Sequence, residues 1–289
     1  LKVEQILFMK HDRIIVLLQN GKLMAVGQNN SDNIFGIADS HPNDEYSILT
    51  ELTGYTSKVG SNKIIKIDSI DNKILFALLD NGRILSSGSG GSTYNYILGR
   101  NKSGSADDMV NFVNDFDGSN DDKFIVDIFQ HRSYFICYGV SKSGNLYSWG
   151  LNQNGLLGDG SSSNRYPNLT PILTNVMRRG IDFTDKYIDI MYSVSNSVLC
   201  LKQDGKLMIW GDDLNVNIST SIGQTNSNTP IQYNYSNSVK EWNNSSNSFV
   251  NGTIDGTIKS FTKNGSFSNN YYFGIITSNN TLYFGGVIF

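Results

Sequence analysis

Residues 143–150 read Ser143-Gly144-Asn145-Leu146-Tyr147-Ser148-Trp149-Gly150, a tight-turn signal followed at once by a short apolar strand. Related phrases close at Gly27, Gly88 and Gly211, and a weaker one closes at Gly285. The closing glycines are therefore 61, 62, 61 and 74 residues apart. Because self-similarity at a fixed period is the signature of a repeat architecture, the chain is predicted to be a repeat protein.

Each phrase is the second half of a predicted β-hairpin. Turns such as Asn20-Gly21 and Asp204-Gly205 need a positive φ, which Gly, Asn and Asp tolerate. An apolar strand precedes each turn, and one more strand lies upstream in every copy. The predicted second strands are Ile14–Leu18, Ile74–Leu79, Tyr134–Tyr138, Val198–Leu201 and Tyr272–Ile276, and the predicted first strands are Val3–Phe8, Ile64–Ile67, Phe124–Phe129, Tyr187–Met191 and Thr257–Phe261. Three strands and a variable connection that could hold a fourth are the content of a propeller blade.

The hairpins also predict a column of small residues. Counted back from each turn, one mid-hairpin position is predicted to hold Val16, Ala77, Cys137, Cys200 and Gly274. Small side chains in every copy indicate a close approach between neighbouring sheets or near a central axis. The two cysteines of the chain are therefore predicted to be buried, reduced packing residues, not a disulfide and not metal ligands.

Composition narrows the class of protein. Charged residues make up 17% of the chain and the formal net charge is −3, so the basic excess that neutralises phosphates is missing and nucleic acid is not an expected partner. Fifteen Tyr, fifteen Phe and only four Pro are typical of strands and turns. No apolar run of about 18 residues occurs, so no membrane-spanning segment is predicted.

The third copy resembles the RCC1 (regulator of chromosome condensation) repeat family. Residues 143–160 match its Gly-x-Val/Leu-Tyr-x-Trp-Gly strand followed by Asn-x-x-Gly-x-Leu-Gly. The second and first copies retain Ile97-Leu98-Gly99 and Ile34-Phe35-Gly36, whereas the fourth keeps only Trp210-Gly211. Family repeats usually carry a His before the middle strand, and all five copies lack it, with Arg13, Ile74, Tyr134, Ser197 and Tyr271 in its place.

The resemblance implies an all-β fold, a β-propeller of RCC1-like repeats. The family propeller usually has seven blades and five copies fill this chain, so we expect about five blades, or part of a seven-bladed disc. A single propeller domain is predicted over 1–289, with repeats at approximately 1–61, 62–122, 123–185, 186–256 and 257–289. The fifth repeat reaches the end of the sequence early, so it is expected to lack its outer strand.

The sequence shows no recognisable catalytic constellation. His11 and His131 fall near the same strand junction and are interpreted as loop or packing residues, and no Gly-x-Ser-x-Gly, His-Glu-x-x-His or P-loop pattern appears. The best metal candidate is the acidic stretch 115–122, but its spacing differs from an EF-hand loop, so a solvated acidic loop is favoured. We therefore predict a protein that is not an enzyme, with no catalytic residues, no metal site and no cofactor.

The long polar connections at 28–62, 89–122, 151–186 and 212–256 are the expected contact surface. Variable loops on a rigid scaffold are typical of binding proteins, so a non-enzymatic protein-binding propeller is the leading hypothesis. Tyr and Trp supply large contact areas at a low cost in conformational entropy. The predicted partner-binding residues are Tyr94, Tyr96, Tyr166, Tyr233, Tyr235 and Trp242.

Two alternatives stay open. The founding member of the RCC1 family is a nucleotide-exchange factor for the GTPase Ran, so the resemblance implies a guanine-nucleotide exchange factor for a Ran-like GTPase as one alternative. A composition rich in Asn, Ser, Thr and Gly also suits a structural component of a cell surface, a secreted assembly or a virus particle. The expected partner is thus another protein, with a small GTPase as one candidate, or further copies of the chain. An extracellular, surface or virion location is favoured over a cytoplasmic one.

Overall fold

The computed structural model describes residues 2–9, 12–29, 33–36, 44–70, 73–88, 94–100, 110–131, 134–178, 181–182, 191–194, 196–212, 226–233, 239–243, 245, 248–251, 254, 256–263 and 272–286. Within these residues the chain forms five small antiparallel sheets and two short helices. It divides into two compact units, Leu1–Asn152 with Ser163–Pro171 and Gln153–Ser162 with Ile172–Phe289. The predicted single domain and its repeat boundaries stay a prediction. None of the helices in the described ranges has the length and apolar character needed to cross a membrane.

The first unit contains three sheets, each built from strands consecutive in the chain. Its strands are β1 (Val3–Met9), β2 (Arg13–Leu18), β3 (Leu23–Asn29), β4 (Asp44–Glu51), β5 (Ile64–Ile70), β6 (Ile74–Leu79), β7 (Ile84–Gly88), β8 (Asn111–Phe112), β9 (Ile125–His131), β10 (Ile136–Ser141) and β11 (Leu146–Gly150). The strand orders are β1-β2-β3-β4, β5-β6-β7-β8 and β11-β10-β9. Two short helices, α1 (Thr53–Val59) and α2 (Tyr94–Leu98), lie in the connections.

The second unit contains two sheets. Its strands are β12 (Met191–Val194), β13 (Ser197–Leu201), β14 (Leu207–Gly211), β15 (Ser227–Gln232), β16 (Val239–Asn243), β17 (Ser248–Asn251), β18 (Ile258–Lys263), β19 (Tyr272–Thr277) and β20 (Leu282–Gly286). The orders are β12-β13-β14-β15 and β17-β16-β20-β19-β18. The predicted fifth repeat, 257–289, supplies β18, β19 and β20, and the strand beside β20 is β16, which comes from the segment upstream of β18. An edge whose backbone groups are unpaired invites such a strand.

All five predicted hairpins form, as β2–β3, β6–β7, β10–β11, β13–β14 and β19–β20. The fifth is one residue out of the predicted register. Tyr272 pairs with Gly286 as Ile136 pairs with Gly150 in the third sheet, so Gly286 and not Gly285 is the closing glycine. The Asn279-Asn280 turn, which lacks the glycine found in the other copies, hid this shift in the sequence.

The closing glycine meets a steric demand that Gly88 illustrates. Its φ is +127°, and a Cβ added there would lie 2.0 Å from the carbonyl oxygen of Lys73, just before β6. Real Cβ atoms never approach an oxygen so closely, so only glycine fits. The closing glycines of the first, third and fourth sheets have the same backbone contact, which explains why this residue recurs at the repeat period.

Neighbouring sheets of the first unit pack face to face through apolar clusters. Leu17 and Leu23, which flank the first hairpin turn, lie with Ile64 and Ile67 of β5 in one cluster. The next cluster repeats this arrangement one repeat later with Leu78, Ile84, Ile125 and Ile128. Burial of such side chains contributes about 1.5–3 kcal/mol each, so these clusters are the main source of cohesion between sheets.

Polar side chains on the first strands add a second repeated contact. Gln5 donates through Nε2 to Ile67 O at 2.7 Å and accepts from Ile67 N at 3.0 Å. Lys66, at the equivalent position of the next sheet, donates through Nζ to Ile128 O at 2.7 Å and to the buried carboxylate of Asp127 at 2.5 Å. Within the first unit, β1 is thereby tied to β5, and β5 is tied to β9.

The register corrects the predicted column of small residues. Cys200 pairs with Met208, as Val16 pairs with Met24, but Cys137 pairs with Trp149. Gly139 holds the column position in the third sheet, so the placement of Cys137 there is wrong by two residues. Since side chains alternate with a period of two, the shift leaves Cys137 on the same face of the strand. Both thiols are buried and free, as predicted.

Candidate functional site

The predicted contact residues fall in different environments. Tyr96 and Tyr166 are half-buried in the first unit and lie together. Tyr94 is the first residue of α2, and Trp242 lies in β16 opposite Phe249. Tyr235 lies outside the described residues.

A contact role for Tyr233 is contradicted by its burial. Its side chain is fully buried, and it packs in the core of the second unit with Leu207, Ile209 and Tyr283. Its backbone N–H donates to Leu207 O at 2.8 Å, which extends the pairing of β14 with β15. The residue follows β15 directly, so the alternation of the strand carries its ring to the core face instead of the surface.

Tyr96 and Tyr166 form a stacked pair. Their ring centroids are 4.1 Å apart and the rings are inclined by 27°. Partial burial, and then the neighbouring Tyr96 hydroxyl, raise the pKa of Tyr166 above its ordinary value of 10.0. The phenol of Tyr166 is therefore neutral at physiological pH.

Hydrogen bonds from buried side chains fix the turn that carries Tyr96. The indole Nε1 of Trp149 donates to Ile97 O at 3.1 Å, and the hydroxyl of Ser86 donates to Leu98 O at 2.8 Å. The buried guanidinium of Arg100, which follows the turn, donates to the carbonyl oxygen and the hydroxyl of Ser86. The first two of these bonds use the backbone acceptors at the end of α2 and fix its position against β7 and β11.

The segment that carries Tyr166 is held equally firmly. Arg165 exchanges two backbone hydrogen bonds with Gly150, of 2.8 and 3.0 Å, at the end of β11. The Arg165 guanidinium donates to Thr170 O at 2.8 Å and to the side chain of Asn168. Pro167 is buried, and Leu169 next to it is 41% exposed. The residues before and after Tyr166 in the chain are thus both held by contacts within the protein.

The sequence did not single out Arg100 or Arg165 for this site. Neither lies in a repeat phrase, and a lone Arg in a polar connection carries no spacing signal. Trp149 is completely buried, and its hydrogen bond to Ile97 O also places Tyr96. Only the folded arrangement connects these side chains to the aromatic pair.

A polar cleft of about 400 Å³ opens in the second unit. The residues that line it are Asn154, Gly155, Gly211, Asp212, Asn226, Ser227 and Asn228. Asn228 fixes one wall, because its carbonyl accepts from Gly160 N at 2.8 Å and its amide donates to Gly160 O at 3.0 Å. Asp212 is the single titratable side chain in this lining, so the described residues of the cleft offer hydrogen bonds but no acid–base pair.

The acidic stretch 115–122 is tied to the protein itself. The hydroxyl of Ser119, then its backbone N–H at 2.9 Å, and then Lys123 lower the pKa of Asp117 to about 2. Asp122 accepts from the hydroxyl of Ser143 at 2.5 Å and from the amide of Asn145 at 2.9 Å. Across the part of the chain that the structure describes, His, Cys, Asp and Glu form no group of three or more that could hold a metal ion.

His131 is a packing residue. It is 3% exposed, and its ring lies edge-on to Tyr134 with the centroids 5.0 Å apart. His11 and His41 lie outside the described residues.

Comparison with known proteins identifies the repeat. The family model described as Regulator of chromosome condensation (RCC1) repeat matches residues 143–184. A search of curated proteins found no match.

Two solved structures resemble the fold. Prp20p from Saccharomyces cerevisiae is similar at 18% identity with a TM-score of 0.60, over 99% of this chain and 58% of that chain. Human WBSCR16 is similar at 15% identity with a TM-score of 0.54, over 81% of this chain and 54% of that chain. The chain therefore spans little more than half the length of either protein. Residues 143–184 match the RCC1 repeat, and the chain has the all-β fold of the RCC1-like β-propellers.

Proposed function

We propose that the chain is a non-enzymatic protein-binding propeller and that the Tyr96–Tyr166 pair is an anchor of its contact surface. The observation that carries the proposal is this stacked, half-exposed pair on two turns held by buried hydrogen bonds. Tyrosine is enriched among residues that contribute most to protein–protein binding. Rigid turns reduce the entropy lost on association, which is the main gain from pre-organisation.

The fold supports the same class of function. The structure of Prp20p was described together with its binding to Gsp1p and histones, so this type of propeller serves protein binding in at least one similar protein. In this chain the formal net charge is −3, which favours a partner with a basic or neutral surface over one that is strongly acidic.

The partner can be sought with a photo-crosslinking residue in place of Tyr96. The same residue in place of Ile48, which is 75% exposed on β4 of another sheet, is the control. We expect position 96, and not position 48, to capture a defined protein. Affinity for that protein, once purified, should then fall at least about tenfold in Tyr166→Ala, the range of a binding hot spot. Equal capture at both positions, or unchanged affinity in Tyr166→Ala, would refute the assignment.

Guanine-nucleotide exchange on a Ran-like GTPase is the second candidate. Its support is the RCC1 repeat at 143–184 together with the similarity to Prp20p. The measurement is the release of a fluorescent GDP analogue from a purified Ran-type GTPase, with and without the chain. If the chain accelerates GDP release and Tyr166→Ala reduces that acceleration, the aromatic pair serves nucleotide exchange. If GDP is released at the intrinsic rate of the GTPase, the exchange function is refuted and protein binding remains the proposed function.

A further inference from the structure

The tripeptide Gln-Asn-Gly occurs twice in the chain and is folded into two different turns. One copy is Gln19-Asn20-Gly21, between β2 and β3, and the other is Gln153-Asn154-Gly155, in the connection that follows β11. Asparagine is a thermolabile residue, and a following glycine has no side chain to keep its backbone nitrogen away from the asparagine amide. The two turns differ in whether that nitrogen is available for reaction.

In the first hairpin the backbone nitrogen and the asparagine side chain are both held. Gly21 is the fourth residue of its turn, and its N–H donates to Leu18 O at 2.8 Å. The side-chain oxygen of Asn20 accepts from Lys22 N at 3.1 Å. Because a hydrogen-bonded amide is released only when the structure opens locally, we expect this copy to react slowly.

A third Asn-Gly pair, in the hairpin of the second sheet, is held in the same way. Gly82 N donates to Leu79 O at 3.0 Å, and the side-chain oxygen of Asn81 accepts from Arg83 N at 3.2 Å. Two more Asn-Gly pairs, at 251–252 and 264–265, lie partly or wholly outside the described residues. The hairpin of the repeat thus imposes a protected geometry on the Asn-Gly pairs at its turn.

The second Gln-Asn-Gly copy adopts a different turn. Asn154 and Gly155 are its two central residues, with φ of +60° and +67°, and Leu156 N donates to Gln153 O at 3.2 Å. Positive φ at both central positions is typical of a type I′ turn, whose single turn bond does not use the N–H of the second central residue. Within the described part of the chain, neither the N–H of Gly155 nor the side chain of Asn154 makes a hydrogen bond.

We propose that Asn154 is a site of spontaneous deamidation and isomerisation. The backbone nitrogen of Gly155 attacks Cγ of Asn154, the bond from Cγ to the side-chain nitrogen breaks, and a five-membered succinimide forms. The proton of the Gly155 N–H leaves with that nitrogen as ammonia. Water then opens the ring at one of its two carbonyl carbons, which gives aspartate or isoaspartate, so water is the only co-reactant.

The product changes both the polar cleft and the support of the fourth sheet. Asn154 lines the cleft together with Asp212, so deamidation adds a second carboxylate to its lining. Isoaspartate also lengthens the main chain of the turn by one carbon. Leu156 O, at the end of this turn, accepts from Trp210 Nε1 at 2.8 Å, and we expect the longer main chain to weaken that bond.

The test follows the three asparagines by peptide mapping with mass spectrometry while the folded chain is incubated at mildly alkaline pH. The exchange of the amide NH2 for OH changes the peptide mass, and methylation by protein L-isoaspartate methyltransferase detects isoaspartate. We expect Asn154 to react at least about tenfold faster than Asn20 and Asn81, whose reaction requires local opening. In denaturant Asn154 and Asn20 should react at similar rates, because the Gln-Asn-Gly sequences are identical.

A variant at position 154 confirms which residue reacts. Asn154→Gly removes the reactive amide and adopts a positive φ freely, so it should abolish the fast reaction and leave the fold intact. The rates at Asn20 and Asn81 should not change in this variant. The circular dichroism spectrum verifies that the variant is folded.

Three results would overturn the proposal. The first is an equal rate at Asn154 and Asn20 in the folded chain. The second is an intact Asn154 in the folded chain over a period in which the denatured chain reacts. The third is an equally large excess at Asn154 in denaturant, which would assign the difference to the residues that follow in the sequence and not to the turns. None of these measurements involves Tyr96 or Tyr166, so the inference is independent of the proposed function.

Discussion

The indole Nε1 of Trp149 donates a hydrogen bond of 3.1 Å to the carbonyl oxygen of Ile97, 52 residues earlier in the chain. Trp149 ends the third sheet, and Ile97 begins the Ile97-Leu98-Gly99 turn of the preceding repeat. The fourth sheet repeats the bond, with Trp210 Nε1 and Leu156 O 2.8 Å apart. At the same position of the second sheet, Ser87 donates through its hydroxyl to Ile34 O at 2.5 Å. The third strand of a sheet therefore holds the loop of the repeat before it.

Removal of this bond should destabilise the protein. Trp149→Phe leaves the buried oxygen of Ile97 without its indole donor, so we expect the free energy of unfolding to fall by about 1–3 kcal/mol, plus the loss of ring contacts. Urea denaturation followed by circular dichroism measures the change. Benzothienylalanine at position 149 keeps the shape of the ring and removes only the N–H, so it isolates the bond. An unchanged unfolding midpoint with that residue would show that the bond contributes nothing.

The closing glycines provide a matched pair of variants. Gly88→Ala would place a Cβ 2.0 Å from Lys73 O, whereas Gly60→Ala, also at positive φ, meets no atom within 4 Å. Gly60 has φ +63° and ψ −127°, outside the left-handed helical region, so Gly60→Ala should cost about 1–3 kcal/mol from this strained backbone conformation alone. Gly88→Ala should cost clearly more, because β6 and β7 must separate. Thermal unfolding of the two variants makes the comparison, and equal losses would contradict the steric explanation.

Lys66 and Asp127 form an ion pair between the first strands of two sheets. The Asp127 side chain is 1% exposed and that of Lys66 is 20% exposed. Lys66→Met leaves a buried carboxylate without its cation, which should lower the free energy of unfolding by about 3–5 kcal/mol. The double variant Lys66→Met with Asp127→Leu removes both charges and should recover much of that loss. Chemical denaturation of the single and double variants tests this, and additive losses would show that the two groups do not interact.

Burial should make both thiols inert in the folded protein. Desolvation raises the pKa of Cys137 and Cys200 far above their ordinary value, so almost no thiolate exists at neutral pH. Ellman's reagent should label neither cysteine in the native chain and both in denaturant. Rapid labelling of one thiol under native conditions would mean that its sheet opens locally.

The stacked tyrosines give a pH-dependent signal. Partial burial raises the pKa of Tyr166 first, and Tyr96 adds to it, so Tyr96→Phe should move the pKa of Tyr166 back toward 10.0. The neutral phenol is the form that the fold favours. Its contribution to stability is complete below the ordinary tyrosine pKa and is lost as the pH rises through the raised one. Difference absorbance of tyrosinate measures the titration, and Tyr46→Phe is the control variant. A pKa of Tyr166 that is the same in the wild-type chain and in Tyr96→Phe would rule out a coupling of the two rings.

The local rules of the hairpin were accessible from the sequence because they act between neighbours in the chain. Ile74–Leu79 was predicted with the bounds that β6 has, and the turn and closing glycines follow from positive φ and steric contact. The pairing register was predicted less well than the positions of the hairpins. The fifth hairpin was one residue out of register, and Cys137 was misplaced by two, since a count from the turn cannot show which residues face each other across the strands.

The arrangement of the aromatic residues in the candidate site could not be predicted from the local sequence. Tyr96 and Tyr166 were both proposed from residue type, but nothing in the sequence indicates that residues 70 positions apart stack at 4.1 Å. Tyr233, chosen by the same reasoning, is fully buried. Residue type predicts what a side chain can do, and its strand and face decide whether a partner can reach it.

The repeat, the hairpins, the turn chemistry and the all-β propeller class can all be predicted from the amino-acid sequence, because backbone sterics and the alternation of strands depend on residues close together in the chain. Tertiary structure alone decided which tyrosines meet, that Trp149 holds the turn of the previous repeat, and that β16 completes the last sheet. Burial and contact depend on what packs against a residue from a distant part of the chain, and the residues next to it in the sequence do not determine that neighbour.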